Sequence, residues 1–464
     1  MGSVGNILGI GANGLLAQQA ASSVASQNAA NSATPGYSRR AASLETVGPP
    51  PAWGQGVRMS GASRRIDPFV ERRLLGAVSA DGAAQARSGV LQVLDEVASP
   101  EGGGIAEALA ALREALLDLS TDPSEPSVRE VALQRADAMS WAFRRAAEAI
   151  AEARQEAKER IEAALEALGE RAQRVAELNG QISKAEVGGQ EAAALRDERD
   201  GLLRQMASEV PIKVLEQPDG RVSVHLAGGP ALVTADGRVN PLQARLDPAT
   251  DALSVTLEGA GADVDVTGLL SGGRVGGLLE AREGDLKDAA DRLDRLAFDT
   301  ASAYNAVHAA GFGLDGVGGR NLFEPPAVVA GAAAAMAVSS DVSGRPEALA
   351  AAADPAAGPG DNRNALDLVA LEDASFAEGG TATFEAAWSG LVSAFGSAVR
   401  GAHSEAEQTA AVAQQVQALR EQVSGVSVDE EMVSLMRYQR AFQASVRVVQ
   451  TADEMLAEVI SMKR

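Results

Sequence analysis

Few residues of this chain are of types that carry chemistry, and their spacing argues against it. The histidines are His225, His308 and His403. They stand far apart, and no metal-ligand partner is read three or four residues from any of them, so neither a metal nor a catalytic role is assigned. Gly9-Ile-Gly11-Ala-Asn-Gly14 matches the dinucleotide pattern G-x-G-x-x-G literally. That pattern needs a strand before it and an acid some 20 residues later. Only eight residues precede it and no acid occurs before Glu45, so small residues at a tight helix–helix seam are the better reading. Arg196-Asp197-Glu198-Arg199-Asp200 could hold a cation, but ion pairs on a helix surface suffice to explain it. There is no cysteine, which excludes disulfides, thiolate metal sites and thiol nucleophiles. No nucleophile stands with a base. We expect no enzyme, no cofactor and no metal.

The elements carry more information than the reactive groups. Val428 to Arg464 reads as one amphipathic helix. One row holds Val428, Leu435, Phe442, Val449 and Leu456, and a second holds Met432, Gln439, Val446, Asp453 and Ile460. Fours and threes alternate, as in a heptad seam facing a partner helix. The first 30 or so residues are also helix-like, with Val4, Leu8, Ala12 and Leu15 on one face, and Val24 further on. A helix inside one globular domain could show such rows, but their presence at both ends favours a coiled coil. The expected seam is therefore Leu8, Leu15 and Val24 with Val428, Met432, Leu435, Phe442, Val446, Val449, Leu456 and Ile460.

The chain has 464 residues, 46% hydrophobic but only 3% aromatic, so Ala, Leu and Val must do the packing. Its formal charge of −22 argues against nucleic acid. No apolar run approaches the ~20 residues that span a bilayer. A secretory signal pattern is also missing, so composition alone points to the cytoplasm, although an uncleaved export segment would leave no such mark.

Along the chain, Ala33-Thr34-Pro35-Gly36-Tyr37 breaks the first helix, and Pro49-Pro50-Pro51 reads as a stiff extended segment. A strand is expected at Gly56–Ser60, with helices at Asp67–Val97 and 105–119 and a rod-like helix from Ser127 to Ala185. The stripe of that rod is Ile161, Leu165, Leu168, Ala172, Val175, Asn179 and Ile182. Strand-and-turn texture fills Val210 to Val266, and helix returns at Gly276–His308 and from Phe384 onward. The expected fold is mainly α with a β-rich inserted domain (α+β). Its parts are residues 1–45 with 415–464 as a terminal coiled coil, 46–209 with 275–414 as a discontinuous helical rod domain, and 210–274 as an outer β-rich insertion.

Both ends resemble the axial proteins of bacterial flagella, the family of rod, hook and hook-associated subunits. Asn28, Asn31, Thr34, Pro35, Gly36 and Tyr37 lie in the stretch Ala25 to Arg39 that carries the first match. Ser424 to Glu431, with Asp429 and Glu430, carries the second, along with Tyr438–Ala444 and Thr451–Leu456. The middle resembles the hook-associated protein 1 branch. It has Asp197-Glu-Arg199-Asp200-Gly-Leu-Leu203, Gly273-Arg-Val-Gly276-Gly277-Leu-Leu279, Asn305-Ala-Val-His308, Gly319-Arg-Asn-Leu-Phe323 and Gly360-Asp-Asn-Arg-Asn364-Ala365. The resemblance implies a structural subunit at the hook–filament junction that assembles with itself in a ring or helix, with the hook protein on one side and hook-associated protein 3 on the other. It further implies synthesis in the cytoplasm, type III export to the extracellular flagellum without a cleaved signal, and a chaperone on the C-terminal helix. Another axial subunit, of hook or rod, is the alternative. The chain is short for this family, which implies a small or missing outer domain.

Overall fold

The computed structural model describes residues 2–47, 54–100, 103–259 and 263–462. The extended segment expected at Pro49–Pro51 lies outside these residues. Helix α1 (Gly2–Ala30) is followed by a hairpin of β1 (Arg40–Thr46) and β2 (Val57–Arg64). Helices α2 (Pro68–Leu91), α3 (Val93–Ala98), α4 (Ile105–Thr121) and α5 (Pro126–Ala185) come next, then α6 (Ala193–Glu209). Asp67 caps α2 by accepting from the Phe69 amide at 2.8 Å, and Pro68 opens the helix without a lost hydrogen bond.

The rod is α5. Its 60 residues span roughly 90 Å at 1.5 Å each. The seven stripe residues expected from Ile161 to Ile182 are all buried, as are Phe143, Ile150 and Ala157 upstream. Alanines alternate with larger side chains along this stripe, which lets neighbouring helices approach closely.

The insertion folds as two antiparallel three-stranded sheets. The first is β3 (Ile212–Glu216), β4 (Val222–Leu226) and β5 (Ala231–Val233). The second is β6 (Leu242–Leu246), β7 (Leu253–Leu257) and β8 (Val264–Asp265). Leu253, Val255 and Leu257 alternate inward with period two, and their core is continuous with that of the helices. Buried Asn179 ties the rod to the first sheet. Its amide donates to the Val222 carbonyl (2.8 Å), and its oxygen accepts from the Val222 N–H (3.0 Å).

Chain returns through α7 (Gly273–Glu280), a π turn at Ala281–Asp285 and α8 (Leu286–Ala310). The glycines of the G-x-x-G-G element permit contact with backbone. A Cβ on Gly277 would fall 1.9 Å from the Ala83 carbonyl oxygen of α2. The irregular stretch 311–383, with α9 (Arg363–Val369), is held by a knot that unites three resemblance motifs. Asn305 bridges Leu322 and Phe323, Asn364 donates to the Ala350 carbonyl, and buried His308 joins the Arg320 carbonyl (2.8 Å) to the Ala350 N–H (2.9 Å). Helix α10 (Phe384–Ser424) lies along α2, and α11 (Val428–Ser461) pairs with α1. The architecture is mainly α with small antiparallel sheets, as expected. Two expected boundaries do not coincide with breaks in structure. The one after residue 45 divides the β1–β2 hairpin, and the one after 414 lies inside α10.

Candidate assembly interface

Small residues place α1 against α11. Gly11, Gly14, Ala17, Ala21, Ala25 and Asn28 are buried along one side of α1. A Cβ on Gly11 would sit 2.6 Å from Val449 Cγ2, and one on Gly14 would sit 2.9 Å from Ser445 Oγ. Helices meeting through such positions lie close enough for backbone-to-side-chain contact. Gly9, the first glycine of the dinucleotide-like pattern, is exposed and meets nothing within 4 Å.

At the inner end of this pair, Asn28 (1% exposed) uses its full hydrogen-bonding capacity. Its amide donates to the Arg40 carbonyl (2.8 Å) and to Glu431 Oε2 (3.0 Å). Its oxygen accepts from the Tyr37 hydroxyl (2.9 Å) and the Arg40 N–H (3.0 Å). Arg39 completes the join between the chain ends. Its N–H donates to the Ser424 carbonyl (2.9 Å), and its guanidinium pairs with Glu430 (2.6 Å) and Glu431 (2.7 Å). Asn31 and Thr34 close the turn after α1, where Asn31 donates to the Gln27 carbonyl and accepts from the Thr34 hydroxyl. Gly36 turns the chain at φ +82°, while Pro35 is exposed. Asp429 and Glu430 stand in the first turn of α11, where the helix dipole favours acids.

Beneath this join lies the charged element of α6. Arg64 of β2 has a side chain only 2% exposed and reaches Glu191 (2.8 Å), Asp197 (3.1 Å) and Asp200 (2.6 Å). Burial opposes its charge, but Asp200 and the other carboxylates outweigh that and hold its pKa above the usual value. Burial pushes the Asp197 carboxyl up, with Arg64 opposing. Arg199 is buried and donates to Asn179 Oδ1 and to the Gly220 carbonyl (2.7 Å). The expected surface ion pairs hold for Glu198, which meets Arg174 with both side chains exposed, and are corrected for Asp197, Arg199 and Asp200. The motif makes tertiary contacts that lock the terminal hairpin, α5 and the first sheet together, because β2 delivers a buried guanidinium to one face of α6.

The placement of the expected seam is also corrected. Val24 is buried, and Leu8, Leu15, Leu435, Val446, Val449 and Leu456 are half-buried. Val428, Met432, Phe442 and Ile460 are exposed, by 46%, 49%, 36% and 56%. The face of α11 toward α1 runs through Glu431, Leu435, Tyr438, Ser445, Val449, Ala452 and Leu456. The first expected row shares Leu435, Val449 and Leu456 with that face, whereas at 100° per residue the second row, Met432 to Ile460, lies roughly 70° around the helix from it. On α1, Ala12 of the expected face is exposed. Sequence reasoning put Gly11 and Gly14 at a tight helix–helix seam without naming α11 as the partner, and missed Ala17, Ala21 and Glu431. The heptad-spaced small residues Gly14, Ala21 and Asn28 were the available signal.

The histidine reading overlooked Glu407, four residues after His403, which lies 3.7 Å from it with both side chains exposed. Among the described residues no group of three His, Cys, Asp or Glu is arranged to hold a metal, and no helix is long and apolar enough to cross a membrane.

The profile of the "flagellar hook-associated protein FlgK helical domain" matches residues 91–323, and that of the "flagellar basal body rod FlgEFG protein C-terminal" region matches 420–462. Flagellar hook-associated protein 1 of Escherichia coli (strain K12) is 24% identical over 539 aligned positions, covering 97% of this chain and 98% of that protein. Its namesake in Bacillus subtilis (strain 168) is 27% identical over 503, covering 96% of each. Both alignments are longer than the 464 residues here, so these relatives hold additional segments. The solved flagellar hook junction protein FlgK from Burkholderia pseudomallei shares the fold at a TM-score of 0.68 and 17% identity, over 76% of this chain and 100% of that one. With the helical-domain profile spanning half of its length, the chain belongs to the flagellar hook-associated protein 1 (FlgK) family.

Proposed function

We propose that this chain is the structural subunit joining flagellar hook to filament, and that it assembles with itself through its terminal helices. The observation that carries this reading is the state of α11. One side is pinned to α1 by the Asn28–Arg39–Glu431 network, while Val428, Met432, Phe442 and Ile460 remain exposed on its flank. An apolar flank on a helix already partnered on its other side needs a further partner. Copies of the same chain supply it, with Leu8, Leu15 and Val24 supporting the seam from α1. The hook protein and hook-associated protein 3 are the neighbours on either side.

The relatives are structural flagellar proteins, and we assign no reaction to this one. The flagellum is its location. Export by the type III route without a cleaved signal, and a chaperone covering α11 beforehand, complete the proposal. We divide the chain into the paired ends (1–45 with 415–464), the helical rod (46–209 with 275–414) and the β insertion (210–274). Strand β2 falls in the second of these ranges although it pairs with β1.

Electron microscopy of a strain lacking the gene tests the junction role. Complete hooks without filaments, with flagellin shed into the medium, are expected. Normal filaments would overturn the proposal, and missing hooks would favour a hook or rod subunit instead.

A further inference from the structure

The charges of α11 are sorted into bands. Asp429, Glu430 and Glu431 open the helix, Arg437, Arg440 and Arg447 follow, and Asp453, Glu454 and Glu458 come last. Arg39 takes Glu430 and Glu431. The charges of the later two bands, and Asp429, are exposed, and among the described residues none of them forms an ion pair. Elsewhere the arginines of this chain are well supplied, since Arg64, Arg174 and Arg196 each hold at least two acids. The helix cannot satisfy the bands internally. A surface pair needs a spacing of three or four residues, and opposite charges in these bands are never closer than six positions.

The banding has a direction as well as an order. At 100° per residue, Asp429, Arg440, Arg447, Glu454 and Glu458 share a stripe roughly 40° wide. It lies on the side of α11 opposite Tyr438, Ser445 and Ala452, which face α1. We propose that this stripe is the contact along which a second copy of the chain lies beside α11, parallel to it and displaced by twelve to thirteen residues, about 19 Å.

In register, two copies would set arginine against arginine and acid against acid. The stagger brings Asp429 beside Arg440, Arg440 beside Glu454 and Arg447 beside Glu458, each within about 2 Å along the axis. Arginine and glutamate side chains absorb such a mismatch. The contact is heterologous, so each copy offers both halves and the series can continue around a ring or along a helix. An antiparallel pair would instead join Arg447 to Glu454 and close at two copies. The inference rests on the self-assembly proposed above.

The test uses charge reversal with two readouts. The first is filament formation after complementing the deletion strain, and the second is association of the purified full-length chain by sedimentation, which does not depend on its role in the flagellum. Arg447→Glu and Glu458→Arg are each expected to lower both by at least about tenfold, because like charges then meet at the contact. The two changes in one chain, or the two single variants mixed, should restore association. Positions 447 and 458 are about 16 Å apart on one helix, so restoration cannot arise within a chain. Both side chains are exposed, and unchanged helix content and melting would show that the variants fold. Single variants that associate like the wild type would overturn the inference, as would a double variant that stays impaired. Rescue of Arg447→Glu by Glu454→Arg in place of Glu458→Arg would establish the antiparallel pair and overturn the stagger. Normal filaments in the deletion strain, with the sedimentation pattern intact, would sink the junction reading and leave the contact standing.

Discussion

Replacing Asn28 with alanine should free α1 from α11. Asn28 satisfies four polar groups at 2.8 to 3.0 Å, those of Arg40 N–H, Arg40 C=O, Tyr37 and Glu431. The Tyr37 side chain is half-buried and can turn to water, and Glu431 keeps Arg39. The two Arg40 backbone groups and one Glu431 oxygen lose their partner. A buried polar group left unsatisfied costs about 1–3 kcal/mol. If one water refills part of the space, the net loss is about 3 kcal/mol, or more than a hundredfold in the opening equilibrium of the pair. Native-state hydrogen exchange on the purified chain reads this directly. Amides from Ala17 to Ala25 should lose about a hundredfold in protection, while amides around Ile161–Val175 in the rod stay unchanged. Asn28→Asp keeps the shape but faces Glu431 with a second carboxylate. It should be at least as damaging at neutral pH. Protection of α1 within threefold of wild type in Asn28→Ala would refute the claim that this residue fastens the ends. So would a wild-type α1 with no protection to lose.

Gly11→Leu should destabilise the helix pair by about 1–3 kcal/mol through overpacking against Val449, whereas Gly9→Ala, with open space around it, should be neutral or gain up to about 1 kcal/mol; paired melting curves compare them. Burial holds the His308 imidazole below its ordinary pKa, with the Arg320 carbonyl opposing and the Arg320 charge adding to it. The native state therefore needs the neutral ring, so stability is full above about pH 6.5 and falls as the pH drops below that, by up to about 1.4 kcal/mol per unit. Denaturant midpoints at pH 7.5 and 5.5 should show this step in the wild type and lack it in His308→Leu. Phe442→Asp, on the exposed flank, should leave the melting temperature unchanged while abolishing filaments in complementation; full motility would remove Phe442 from the interface.

What the sequence determined by itself is local and periodic. The stripe from Ile161 to Ile182 is legible because a 3.6-residue period needs no knowledge of the partner, and all seven residues are buried. The break at Pro35-Gly36, the strand texture after Val210 and the small-residue reading of Gly11 and Gly14 follow from backbone chemistry in the same way. Tertiary structure decided which face turns inward. Helix α11 is apolar on more than one side, and periodicity cannot say which side meets α1. That choice was made by Gly11, Gly14, Ala17 and Ala21, whose smallness permits a close approach yet leaves almost no trace in a hydrophobic pattern. The seam therefore runs through Leu435, Tyr438 and Val449, with Phe442 left more exposed than its neighbours. Likewise, Arg196 to Asp200 reads as an exposed charged run until β2 brings Arg64 to it from more than a hundred residues away. A buried ion network is a property of the space between elements, and one-dimensional spacing does not contain it.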